Sequence, residues 1–230
     1  MFSNIPQIPP IPLSLMLATF CLSTVLLQAP GAAGEPPVKD AKAEEASPQQ
    51  EYQALLERVK KSDASVDFKR MRWLQTQLDS YDPYGASREH PMAAFRAGEV
   101  AQAKMLAEGI LAENYLHLES HLAAAAVADQ RGDAAAAAHH KYVAQGVLDS
   151  ILQSGDGKTL DTAFQVIALS EEYAVMRHFG LRITEQALVH GGGGHSYDLL
   201  KGEDPESGSI RDVYFNIDPI MSALAKKFSP

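Results

Sequence analysis

The residues best suited to chemistry in this 230-residue chain are carboxylates, amides and histidines of its last third. Glu171, Glu172, Gln186, His195 and Asp198, with Tyr173 and Tyr214, all fall near the expected ends of strands or turns. Were Glu172 and His195 to share a cleft, a carboxylate–imidazole couple would supply a general acid and base, as a hydrolase needs. The competing reading is structural. Glu171 and Glu172 begin a short helix, where the dipole favours negative charge, and Gln186, Tyr197 and Asp198 satisfy hydrogen bonds at a sheet edge. A Ser-His-Asp triad from Ser196, His195 and Asp198 is excluded by alternation. One strand places His195 and Tyr197 on one face, and Ser196 and Asp198 on the other.

Three other groupings carry the residue types of a site. His117 and His121 are four residues apart on an expected helix, so both imidazoles can reach one metal, with His139 or His140 on the next helix as a third ligand. Helix-surface or groove histidines are the plainer reading, and no metal site is assigned. His190 and His195 flank Gly191–Gly194 and are expected to face each other across a hairpin. "GDGKT" (155–159) ends like a phosphate-binding loop, but the first glycine of that motif is replaced by Leu152, and a helix precedes it where a strand is required. It reads instead as a helix cap at Gly155 followed by an Asp-Gly turn. No cofactor is implied.

The elements that must position these residues divide the chain. Ser47-Pro48 is an N-cap followed by Pro at the first helical position, and Tyr52, Leu55, Leu56 and Val59 make one amphipathic helix, 49–62. Asp67 caps a second, 67–80, with Phe68, Met71, Trp73, Leu74 and Leu78 as its apolar side. "AGEVAQA" and "RGDAAAA" place Gly98, Glu99 and Ala103, then Gly132, Asp133 and Ala137, displaced by 34 residues. That is the period of a tetratricopeptide helix–turn–helix, and helices are expected at 89–97, 99–113, 117–131 and 133–152. After 154 the pattern changes. Residues 162–169, 183–190, 195–201 and 212–217 read as strands, with a short helix 171–178 closed by Gly180 and a last helix 219–227. The expected fold is α+β: a tetratricopeptide-like helical region, 48–153, followed by a small antiparallel sheet with a terminal helix, 154–230.

The N-terminus sets the expected compartment. Ile11 to Leu27 is apolar and uncharged, and Gln28-Ala29-Pro30 and the small residues 31–34 follow it, in the order of a signal peptide, 1–33. As a helix the run would reach only about 26 Å, short of a bilayer core of roughly 30 Å. Residues 34–47 read as a flexible spacer. The single cysteine, Cys21, lies inside the signal segment, so the mature chain would carry no thiol, which excludes disulfides and cysteine catalysis and suits an oxidising compartment. A net charge of −9 with no basic cluster argues against nucleic acid and anionic membrane surfaces.

Several blocks, taken in order, are familiar as a set. "VDF…MR", "YDPYG", "SGDGK", "TAFQVI", "EEY", "GHSYDLL" and "YFNID" together resemble a family of bacterial exported proteins known as domain of unknown function 4919, over roughly Tyr52 to Phe228. Asp67, Asp82, Tyr84, Asp156, Glu171, Glu172, Tyr173, Gln186, His195, Tyr197, Asp198 and Tyr214 match its pattern, whereas His190 and the expanded glycine run depart from it. The resemblance implies fold and compartment but no activity.

Two functions are expected on this basis. The first is a periplasmic or secreted, non-catalytic binding or scaffold module. Its helical pairs would offer a groove with Tyr115, His117, His121 and Tyr142 on the rim, and its partner would be another exported protein or peptide. No nucleic acid is expected, and membrane contact only through the N-terminal segment if uncleaved. The alternative is a hydrolase using Glu172 and His195.

Overall fold

The computed structural model describes residues 46–85 and 90–228. The expected signal peptide and most of the spacer lie outside the described residues. Helices α1 (Pro48–Lys60), α2 (Phe68–Gln75), α3 (Pro91–Arg96), α4 (Val100–Glu113), α5 (Leu118–Gln130) and α6 (Ala134–Leu152) come first. Then follow β1 (Phe164–Gln165), α7 (Leu169–His178), β2 (Arg182–His190), β3 (Ser196–Glu203), β4 (Ile210–Asn216) and α8 (Asp218–Phe228). The fold is α+β. Among the described residues no helix is long and apolar enough to cross a membrane.

Local chemistry explains most boundaries. Ser47 and Gln50 form a reciprocal capping box at the start of α1, and Asp67 and Asp133 accept backbone N–H groups at the starts of α2 and α6. Gly98 and Gly132 reverse the chain between α3 and α4 and between α5 and α6, with φ of +83° and +75° that only glycine adopts without strain. Ala103 and Ala137, one turn later, are buried against neighbouring helices. The two hairpins are unequal, because α3 has six residues and α5 has thirteen, and a tetratricopeptide array does not follow from them.

The sheet runs β1-β4-β3-β2, with β1 parallel to β4 and the other pairs antiparallel. The expected antiparallel sheet is therefore mixed. Most of the first expected strand is absent because Asp156, Thr159 and Thr162 bind one another in a turn, leaving Phe164 and Gln165 to pair with Phe215 and Asn216. The left-handed residue of this segment is Gly157, not Gly155, and α6 is closed by Gln153.

Asp198, Leu200 and Gly202 of β3 share one sheet face with Val213 and Phe215 of β4, and α7 crosses that face. The approach is close at Gly202, where a Cβ would lie 2.6 Å from Met176 Cε and 2.7 Å from Leu181 Cβ. One core, including Val59, Met71, Val147, Ile151, Val175 and Phe215, joins α1, α2, α6 and α7 to the sheet. A smaller cluster of Ala94, Ala103 and Val127 serves the α3–α4 hairpin.

Helix α2 keeps most of its expected apolar side, with Phe68, Met71 and Leu74 buried. Phe68, Met71, Arg72 and Gln75 turn inward at steps of three and four, so Arg72 is buried while Trp73 is 54% exposed. Trp73, expected on the apolar side, faces solvent.

Candidate functional site

Two adjacent acids of α7 diverge, because consecutive helical residues point about 100° apart. Glu171 meets Arg72, with Nε to Oε1 at 3.0 Å and Nη2 to Oε2 at 2.6 Å. The guanidinium also donates to Ser150 Oγ at 3.3 Å and the Gln165 carbonyl at 3.1 Å, and Glu171 Oε2 accepts Ile167 N–H at 2.8 Å. Tyr81 donates to the Ile167 carbonyl at 2.6 Å, and burial, with Glu171 next, pushes its hydroxyl pKa up. This buried pair ties α2, α6, β1 and α7 together with nearly every donor matched. Neither Glu171 nor Glu172 caps α7, whose N-cap is Ala168 without a side-chain bond.

Glu172 faces the sheet and is 0% exposed, and no N–H or O–H donor reaches either of its oxygens. Its neighbour is another acid, Asp198. Burial foremost, then the charge and hydrogen bonding of Asp198, raise the Glu172 pKa well above the usual carboxylate range. A protonated Glu172 that donates to Asp198 fits both observations, because an ionised carboxylate holds acceptors only. Asp198 Oδ2 accepts Gln186 Nε2–H at 2.8 Å, and Gln186 Oε1 accepts the Tyr173 hydroxyl at 3.2 Å. Tyr84 stands on the other side, its hydroxyl pKa raised by burial, then by Asp198 and Glu172.

His195 is elsewhere. Its Nδ1 lies 2.6 Å from Asp218 Oδ2, and Asp218 also accepts Ser196 N–H at 2.8 Å and Asn216 Nδ2–H at 3.2 Å. Burial alone would raise the Asp218 pKa, but these donors together hold it below the ordinary value. The His195 ring packs near Tyr197, on the face opposite Asp198. Glu172 and His195 therefore do not form an acid–base couple: each has its own partner, on opposite sides of β3. Tyr214, opposite Leu199, is also on the far face. The register pairs His190 with Ser196, one residue out of step for facing His195.

The expected groove rim is bonded inward instead. His117 is the N-cap of α5, its Nδ1 accepting Ser120 N–H at 3.2 Å. His121 is fully buried, with Nε2 2.6 Å from the Tyr115 carbonyl and Nδ1 2.9 Å from His140 Nδ1. Burial lowers the pKa of His117 to about 4 and that of His121 to about 3, so both are neutral at pH 7. Tyr115 hydroxyl meets His139 Nε2 at 2.7 Å, and Tyr142 donates to the Asp63 carbonyl at 2.6 Å. Tyr115, His121 and Tyr142 are thus tied to neighbouring segments, while His117 caps α5 and lines a separate pocket. Among the described residues no group of three or more His, Cys, Asp or Glu is arranged to hold a metal.

The open concavity lies at the far end. A half-open cleft of about 1,040 Å³ runs between residues 73–84 and α8, with His195, Asn216 and Asp218 in its floor. Trp73, Tyr81 and Tyr84 give one wall three aromatic rings, with Pro83, Asp79 and Asp82 beside them, while α8 contributes Leu224, Lys226 and Lys227. A second pocket of about 560 Å³ lies against the outer face of α7. Sequence reasoning named Glu172, Tyr173, Gln186 and Asp198, which the fold brings together. It missed Arg72, Asp218 and the cleft. The position of Arg72 one step beyond Met71, on the apolar side of α2, and Asp218 preceding Pro219 were the available signals.

The fold and site define a helical layer on a mixed four-stranded sheet, with a shut polar centre and a separate open cleft. The chain belongs to the family described as domain of unknown function 4919, whose model matches residues 38–226. No curated protein matches it, and no solved structure does.

Proposed function

We propose that this protein is an exported, non-catalytic binding module that holds an extended polypeptide segment of another exported protein in the cleft between residues 73–84 and α8. The cleft carries this reading. Exposed Trp73 beside the half-buried rings of Tyr81 and Tyr84, with carboxylates on one wall and two lysines on the other, suits alternating apolar and charged side chains. The acids best fitted for proton transfer support it from the other side, since Glu172 and Asp198 are buried and line neither the cleft nor the second pocket. Export rests on the N-terminal apolar run and its small-residue cleavage site.

Trp73 is the sole tryptophan of the chain and lies in the cleft wall, so its emission reports occupancy. A panel of extended twelve-residue peptides of mixed charge should contain members that shift Trp73 emission saturably. The same peptides should slow hydrogen exchange in 73–84 and α8, and charge reversal of Lys226 and Lys227 should weaken the acidic members about tenfold. Binding that leaves Trp73 unperturbed and protects α3–α6 instead, or a panel without any saturable binder, overturns the assignment. N-terminal sequencing of the protein from the cell envelope or medium tests export, with an intact Met1 as the adverse result.

A further inference from the structure

The 560 Å³ pocket on the outside of α7 shares no lining residue with the long cleft, and its chemistry differs. Leu169, Met176, Leu181 and Ile183 make an apolar floor, flanked by Tyr173. The polar side is built by the first residues of α5 and by Arg177. His117 is 3% exposed, and its Nε2 has no hydrogen-bond partner. Because Nδ1 accepts the Ser120 backbone N–H, the imidazole proton resides on Nε2, a buried donor without an acceptor. His117 lines this pocket together with Arg177 and His90. Such a donor is costly to leave unmatched, and an acceptor oxygen placed in the pocket would satisfy it.

We infer that this pocket binds a monocarboxylate with an aliphatic or aromatic body, its head on Arg177 and His117 at the positive end of α5 and its body on the apolar floor. The inference goes beyond the peptide-binding reading and does not depend on it. A planar guanidinium matches a carboxylate in a two-point contact. Among the described contacts Arg177 uses one nitrogen, at 3.1 Å to Glu119 Oε2. Glu119 sets the limit on ligand charge, because a carboxylate at the same fork repels a dianion more than a monoanion. The α5 dipole adds to the attraction for a negative head.

The test uses decanoate, with decanol, decylamine and inorganic phosphate as comparisons, on protein labelled at its methionine methyl groups. Decanoate should bind saturably below its aggregation concentration and shift the Met176 methyl resonance, while Trp73 emission stays constant. Decanol should bind at least tenfold more weakly, and decylamine and phosphate should not compete. Arg177→Gln should weaken decanoate about tenfold, whereas Glu119→Gln should tighten it several-fold by removing the competing charge. His117→Asn keeps an N-cap acceptor but deletes the Nε2 donor, so it should weaken decanoate with the fold retained by circular dichroism. The inference is overturned if decanol equals decanoate, if Arg177→Gln leaves affinity unchanged, or if decanoate shows no saturable shift up to about 1 mM, the weakest affinity of interest. A shift of Trp73 instead of Met176 would place the fatty acid in the long cleft and overturn it equally.

Discussion

Glu171 and Glu172 are neighbours on one helix, yet one lies among donors and the other is pushed towards its neutral form beside a second acid. Arg72 and the Ile167 amide converge on Glu171, and Ser150 in turn holds the guanidinium, so its charge is matched by fixed partners. Glu172 meets the sheet with no donor, and its proton substitutes for one. The difference teaches that helix phase, not residue type, sets the chemistry here. Rotating the chain by one position exchanges a counter-ion for a rival.

The largest expected break in this comparison is Arg72→Ala. It strands Glu171 without its cation and should cost about 3–5 kcal/mol in chemical denaturation. A loss under about 1 kcal/mol would mean that Glu171 escapes to water. The double change Arg72→Met with Glu171→Leu removes both charges, and should return stability to within about 1–2 kcal/mol of the parent, because well-packed apolar residues often replace buried pairs at little cost.

Glu172→Gln sharpens the other side. The folded-state pKa of Glu172 is raised, so its contribution is fully present below the unfolded value near 4.5 and is lost as pH rises through the folded value. Glutamine copies the protonated acid and donates to Asp198 at any pH. The variant should therefore match the parent near pH 4 and gain about 1–3 kcal/mol over it by pH 8. An equal difference at both pH values would refute proton sharing. The smallest effect belongs to Gln186→Leu, which removes one partly exposed donor from Asp198 and should cost about 1 kcal/mol, read in the same denaturation curves.

Local order was legible because local rules govern it. Ser47, Asp67 and Asp133 announce their helices, Gly98, Gly132 and Gly180 close others, and alternation locates β2, β3 and β4. What escaped depends on distant partners. The parallel pairing of Phe164 with Phe215 joins two short segments across the α7–β3 region, so no local pattern signals a mixed sheet. The fate of His117 and His121 turned on a cap and on His140 across a helix pair, and not on their spacing. In the candidate site, Glu172, Gln186 and Asp198 were recognisable as a polar set in the sheet half, although Gln186 lies in the middle of β2 and not near its end. Their separation from His195 was set by Asp218, 23 residues further along.

Gly202 gives the arrangement its tuning. With a methyl group there, Met176 and Leu181 must retreat, and α7 would ride higher on the sheet. Glu172 stands one turn before Met176, so the gap to Asp198 would widen in step. A missing side chain thus acts as the spacer that brings two acids near enough to hold one hydrogen between them, and a carboxyl titration of Gly202→Ala followed by carbon-13 resonance would show Glu172 falling back towards an ordinary acid.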